Sequence, residues 1–155
     1  MIILPRQQLV EELKASPFSM KHDPFTTKDS RYACASPKWM QEALDNFNDP
    51  RPRKSQKNDC DNVSMRFLVY CYDALRVEDV DADLGMFFDS LLLRPMCNYL
   101  GLRPTFEQRG HRGIIARGDD NNWYSLEPQT KQMALTKDLI QLEEWPIDQL
   151  IYVDL

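Results

Sequence analysis

Apolar residues at Cys60, Val63, Phe67, Leu68, Cys71 and Leu75 recur at intervals of three and four, and this stripe constrains the chain more than any other feature. It requires a helix over residues 60–75 with one whole face in a core. A face that long needs partners, and 155 residues suffice for one sizeable core and not for two. We therefore expect a single domain over 1–155, in which residues 1–35 form an N-terminal extension packing on a core of 36–155. With 43% hydrophobic and 28% charged residues, the chain lies well away from compositions that stay disordered.

Two further helices precede the stripe. One covers residues 7–15; the other runs over 36–46, where Ser36 caps and Pro37 takes the first helical position. A polar loop containing proline follows over 48–58. A fourth helical region is predicted over 83–93, stopped by Pro95. After Gly110 the texture changes to strands, at 112–117, 122–126 and 150–153, with another at 133–135.

Gly118-Asp-Asp-Asn-Asn122 is dense in turn formers, so the strands on either side should form an antiparallel hairpin. We read the acidic loop 119–122 as a simple turn, since it lacks the glycine and closing glutamate of a calcium-binding hand. Helices first and an antiparallel sheet later describe an α+β layout. If the loop spans 118–122, Arg117 faces Trp123, Gly113 faces Glu127 and His111 faces Gln129. Side chains alternate along a strand, so His111, Gly113, Glu127 and Gln129 would share a face, with His111 and Glu127 on the diagonal.

A net charge of −5 opposes binding to a phosphate backbone, which needs surplus Lys and Arg. The one basic cluster, Arg51, Arg53, Lys54 and Lys57, reads as a solvated loop, and His22 as a surface residue. No apolar run approaches the roughly 20 residues that cross a bilayer, and the apolar start at Met1 is too short for a signal peptide. We expect no nucleic-acid or membrane partner, and a place in the cytoplasm or inside a larger particle. The four cysteines lack metal-type pairing and are sparse for a disulfide scaffold. Cys60 and Cys71, on one helix, would stand roughly 16 Å apart, too far to bond.

Chemistry concentrates at Asn58-Asp59-Cys60-Asp61-Asn62, where the core helix begins. A thiol there feels unsatisfied backbone N–H groups and the positive end of the helix dipole, both of which favour the thiolate. Asp59 and Asp61 oppose that by raising the thiol's pKa, unless a bound cation offsets them. The plain alternative is that Asp59 caps the helix and Cys60 is a small core residue. The hairpin adds what thiol chemistry needs next, a histidine held by a third polar group, in His111 and Glu127. Trp39, Trp123 and Trp145 read as core or cleft-wall aromatics.

Asp59-Cys60-Asp61 at a helix start, His111 at the head of a strand and a later strand ending in Glu127-Pro-Gln129-Thr together resemble a known family. This is the calcium-dependent papain-like protease domain of the Marasmius oreades agglutinin and its relatives, many of them phage-encoded. The resemblance runs in order and spacing from Trp39 onward. It implies a papain-like α+β fold with Cys60 as nucleophile, His111 as base and Glu127 orienting it. It also implies calcium, with Asp59, Asp61, Glu127 and Gln129 as ligands, and a protein or peptide substrate.

The chain departs from that pattern in three places, one being Val63-Ser-Met-Arg66 where relatives commonly continue with a small-apolar run. Asn62 stands where relatives commonly carry a second acidic residue, and Gln56 is spaced too closely to Cys60 for the usual oxyanion donor. Two other functions compete. One is a non-catalytic phage or virion protein that keeps the fold and contacts neighbouring subunits of a particle; the other is a peptidoglycan amidase or endopeptidase of the NlpC/P60 type.

Overall fold

The computed structural model describes residues 1–15, 30–49, 60–91, 111–140 and 152–154. Its elements, in chain order, are β1 (Ile2–Pro5), α1 (Arg6–Ala15), β2 (Arg31–Cys34), α2 (Pro37–Asn46) and α3 (Cys60–Leu75). There follow a short 3-10 turn (Val77–Val80), β3 (Asp83–Leu84), β4 (Met86–Leu91), β5 (His111–Arg117), β6 (Trp123–Glu127), β7 (Gln132–Leu135), α4 (Thr136–Ile140) and β8 (Tyr152–Asp154).

The apolar stripe is α3, over the span that its periodicity predicts. Val63, Phe67 and Cys71 are fully or almost fully buried, and Leu68 and Leu75 pack at the margin. The cap on α2 is also as expected. The Ser36 hydroxyl accepts from the Trp39 amide at 3.2 Å, Pro37 opens the helix, and the Phe47 amide closes it on the Ala43 carbonyl. Ser36→Ala should cost about 1 kcal/mol, measured by denaturant unfolding.

Five strands form a sheet in the order β7-β6-β5-β4-β8, and the recorded pairs are all antiparallel. One face, carrying Ile114, Ala116, Tyr124, Leu126 and Met86, joins α2 and α3 in the main core. On the other side, Phe87 meets the Tyr32 ring edge-on at 5.3 Å and the tilted Trp123 ring at 6.4 Å.

A second sheet, β1-β2-β3, pairs β1 with β2 antiparallel and β2 with β3 parallel. The two sheets meet at Gly85. Its amide donates to the Ala33 carbonyl at 2.8 Å and its carbonyl accepts from the Arg117 amide at 3.0 Å. A Cβ there would lie 2.8 Å from the Ala33 oxygen, so only glycine lets the strands approach this closely.

Two expectations need correction. The fourth helix over 83–93 is replaced, over its described part, by strands β3 and β4. The cause is that β4 runs between β5 and β8 and is covered on both faces. Met86 packs toward α3 and Phe87 away from it, so the apolar run lacks the alternation that marks a half-exposed strand. Nor do helices come first: β1 and β2 flank α1 within the first 35 residues, drawn into a sheet by pairing with distant Asp83 and Leu84. The fold is α+β with small, mainly antiparallel sheets.

Candidate active site

The hairpin register is the one read from the sequence. Arg117 pairs with Trp123, Ala116 with Tyr124, Ile115 with Ser125 and Ile114 with Leu126. The loop closes through the Gly118 amide on the Asn122 carbonyl at 2.8 Å, with Asp120 accepting from the Asn122 amide and the Tyr124 hydroxyl. Asn121 takes a left-handed φ of 69°. The acidic loop is thus a self-bonded turn.

At the opposite end of this hairpin, β5 begins at His111 and β6 ends at Glu127. His111 pairs with Leu91 of β4. The β5–β6 ladder runs from Arg117–Trp123 to Ile114–Leu126, short of the expected Gly113–Glu127 and His111–Gln129 pairs. Gln129 sits in the turn after β6, and its amide donates to Glu127 Oε1 at 2.9 Å. The Glu127 carboxylate is only 1% exposed. A buried carboxylate must be met by donors, and the turn supplies one.

The path of the chain links α3 to the sheet. It leaves α3 at Leu75, turns through residues 76–82 and enters β4 at Met86, which pairs with Ala116 near the loop end of the hairpin. The 16 residues of α3 and the 7 of β5 both span about 24 Å, and the two pack in one core. Val63, Phe67 and Cys71 of α3 share that core with Ile114 and Ala116 of β5 and Met86 of β4. Glu127 belongs to the sheet face that carries Ser125, the reverse of the face that α3 covers. A thiol on α3 would reach it around the end of the sheet, not across the core.

Asp59 lies outside the described residues, as do Gln56, His22, Trp145, Cys97 and the basic cluster at 51–57; for Cys60, Asp61 and His111 the backbone is described. Among the described residues, no three His, Cys, Asp or Glu side chains gather as a metal group. The Glu127 carboxylate and the Gln129 side-chain carbonyl are hard oxygen donors of the kind calcium takes, set two residues apart in one turn. Cys34 and Cys71 are free and buried. Burial pushes the Cys34 thiol up to about 12, and it raises the Cys71 thiol as well. Neither suits a nucleophile.

A second polar cluster escaped the sequence reading. Arg117, with a side chain 2% exposed, binds Glu12 of α1 through Nε at 2.7 Å and Nη2 at 2.8 Å. It also donates to the Gly118 carbonyl and to Asn121 Oδ1. Burial alone would raise the Glu12 carboxyl, but hydrogen bonds from Arg117 and Gln8, with the Arg117 charge, outweigh it and hold the group below the usual carboxylate range. The Trp123 indole N–H faces the same carboxylate without closing a hydrogen bond of ordinary geometry. Arg117 shares strand parity with Ile115, a signal present in the sequence, but nothing local names Glu12 as its partner.

No family model matches the sequence, and no curated protein matches it. Among solved structures, one described as the PSL1a–E64 complex aligns with a TM-score of 0.61 at 12% identity, over 97% of this chain and 48% of that one. The fold is shared. The chain spans about half the length of the PSL1a chain, and at this identity the likeness speaks for architecture. No described helix is long and apolar enough to cross a membrane.

Proposed function

We propose that this chain is a papain-like cysteine hydrolase that cuts a peptide or isopeptide bond through an acyl-thioester at Cys60. The observation that supports the reading is the buried Glu127, whose carboxylate accepts from the Gln129 amide at the sheet end where β5 opens with His111; the reading itself puts Cys60, the first residue of α3, at that end. The fold shared with PSL1a, described in complex with E64, supports it.

In this reading the Cys60 thiolate attacks the scissile carbonyl carbon. The tetrahedral intermediate collapses with departure of the amine, which takes its proton from the His111 imidazolium. Water then gives a proton to His111 and adds to the thioester, releasing the acid and regenerating the thiolate. Glu127 holds the imidazole's orientation and favours its charged form. Calcium, when bound by Glu127 and Gln129 with Asp59 and Asp61, would offset the negative charge that otherwise raises the Cys60 thiol.

Iodoacetamide tests this at neutral pH. Cys60 should label about 100-fold faster than Cys34 and Cys71, whose thiols burial keeps protonated, and calcium should alter the Cys60 rate. E64 should be retained by the native chain and not by Cys60→Ala. Slow labelling at all sites would instead favour a non-catalytic virion or interaction protein that keeps the fold. Lysis of peptidoglycan would favour the amidase.

A further inference from the structure

The turn that holds Glu127 is itself held by α2. Between β6 and β7 the chain reverses through residues 128–131, and Glu127 pairs with Gln132 across it. Lys131 adopts a left-handed backbone, φ 60°, where glycine is the unstrained residue. Its side chain is what glycine would lack: the Lys131 ammonium donates to the Asp45 carbonyl in the last turn of α2 at 2.8 Å. Gln41, one turn earlier, donates through Nε2 both to Asp45 Oδ1 at 3.0 Å and to the Lys131 carbonyl at 3.2 Å. The helix end and the turn thus exchange bonds in both directions, two residues from the Gln129 amide that fixes Glu127 Oε1.

We infer that Gln41 and Lys131 are positioning residues for the hydrolase, a clamp between α2 and the β6–β7 turn that fixes Glu127 through the Gln129 amide. The inference rests on the proposed cysteine-hydrolase reading. A strained non-glycine residue persists where the surroundings over-determine it, and here they converge on the turn that aims one carboxylate. In this inference the clamp has no direct role at the reacting atoms. It acts only through Glu127, so its effect should disappear when Glu127 cannot do its work.

Lys131→Gly separates the clamp from a merely structural role, because it relieves the backbone strain while removing the ammonium. A structural lysine predicts equal or higher stability and unchanged chemistry. The clamp predicts that Lys131→Gly and Gln41→Ala each slow iodoacetamide labelling of Cys60, with calcium present, by about tenfold. Lys131→Arg should retain most of the native rate. In a Glu127→Gln background, neither substitution should slow labelling further. Amide hydrogen exchange at Gln129, followed by NMR, should speed by about tenfold in Lys131→Gly, a readout independent of any thiol chemistry.

Unchanged exchange at Gln129 would overturn the clamp. So would unchanged labelling of Cys60 in both variants when Glu127→Gln alone slows it, and that result would leave the hydrolase reading standing. If native Cys60 labels no faster than in the urea-unfolded chain, the hydrolase reading falls and the clamp's role in it falls too.

Discussion

Cys60→Ala should abolish hydrolysis, lowering the rate of bond cleavage at least about 10⁴-fold while leaving the fold in place. The expected loss is this large because the nucleophile and its base act as a unit, so removing either member costs nearly as much as removing both. The fold should survive because Cys60 is the first residue of α3, where alanine is well tolerated and no intrahelical amide bond is lost. New peptide termini in a denatured protein substrate, read by mass spectrometry, measure the first quantity, and the thermal midpoint the second. Cys71→Ala is the matched control: this thiol is fully buried among the α3 core residues, so its loss should lower stability by about 1–2 kcal/mol and spare cleavage per folded molecule. Equal cleavage by native protein and Cys60→Ala would end the proposal. Absence of cleavage by the native protein, with slow labelling of Cys60, would turn the argument toward the virion or interaction protein.

Arg117→Met should cost about 2–3 kcal/mol and lower the thermal midpoint by roughly 4–12 °C. The guanidinium is buried and makes two bonds to Glu12, so its removal leaves a partly buried carboxylate without its main partner. The loss stays at the low end for a broken buried pair because the Glu12 side chain is 27% exposed and water screens part of the charge. A pH signature accompanies it. Arg117 and the Gln8 amide hold Glu12 below its unfolded value of 4.5, so the stabilisation is complete above that value and is lost as the pH falls through the lower, folded pKa. Native protein should therefore lose this part of its stability below about pH 4.5, whereas Arg117→Met should lack that component. Thermal midpoints between pH 3 and 6 decide the matter. Equal slopes for the two proteins would mean that the pair contributes nothing to folding.

These two residues also separate what local sequence discloses from what it does not. Cys60 was legible because a helix start needs only nearest neighbours: the three-and-four spacing from Val63 onward sets the helix, and the polar run before it sets the boundary. The β5–β6 register was legible for a similar reason, since a short loop of turn formers leaves one way to pair Arg117 with Trp123. The sheet face of Glu127, the one that carries Ser125, followed from that register by alternation. Arg117 was equally visible as a strand residue, but its partner is 105 positions away, and no local rule reaches that far.

The amino-acid sequence alone determined the helix over Cys60–Leu75, the Ser36 cap on α2 and the pairing of β5 with β6, because each is set by periodicity, capping or turn chemistry within a few residues. Tertiary structure decided that Met86–Leu91 is a strand and not a helix, since an apolar run reads alike in both until β5 and β8 bond to its two edges. It also decided that α1 is pinned by Arg117 and that the Glu127 turn is tied to α2 through Gln41, Asp45 and Lys131. Those contacts join groups far apart in the chain, and their energy exists only after the core has brought the elements together.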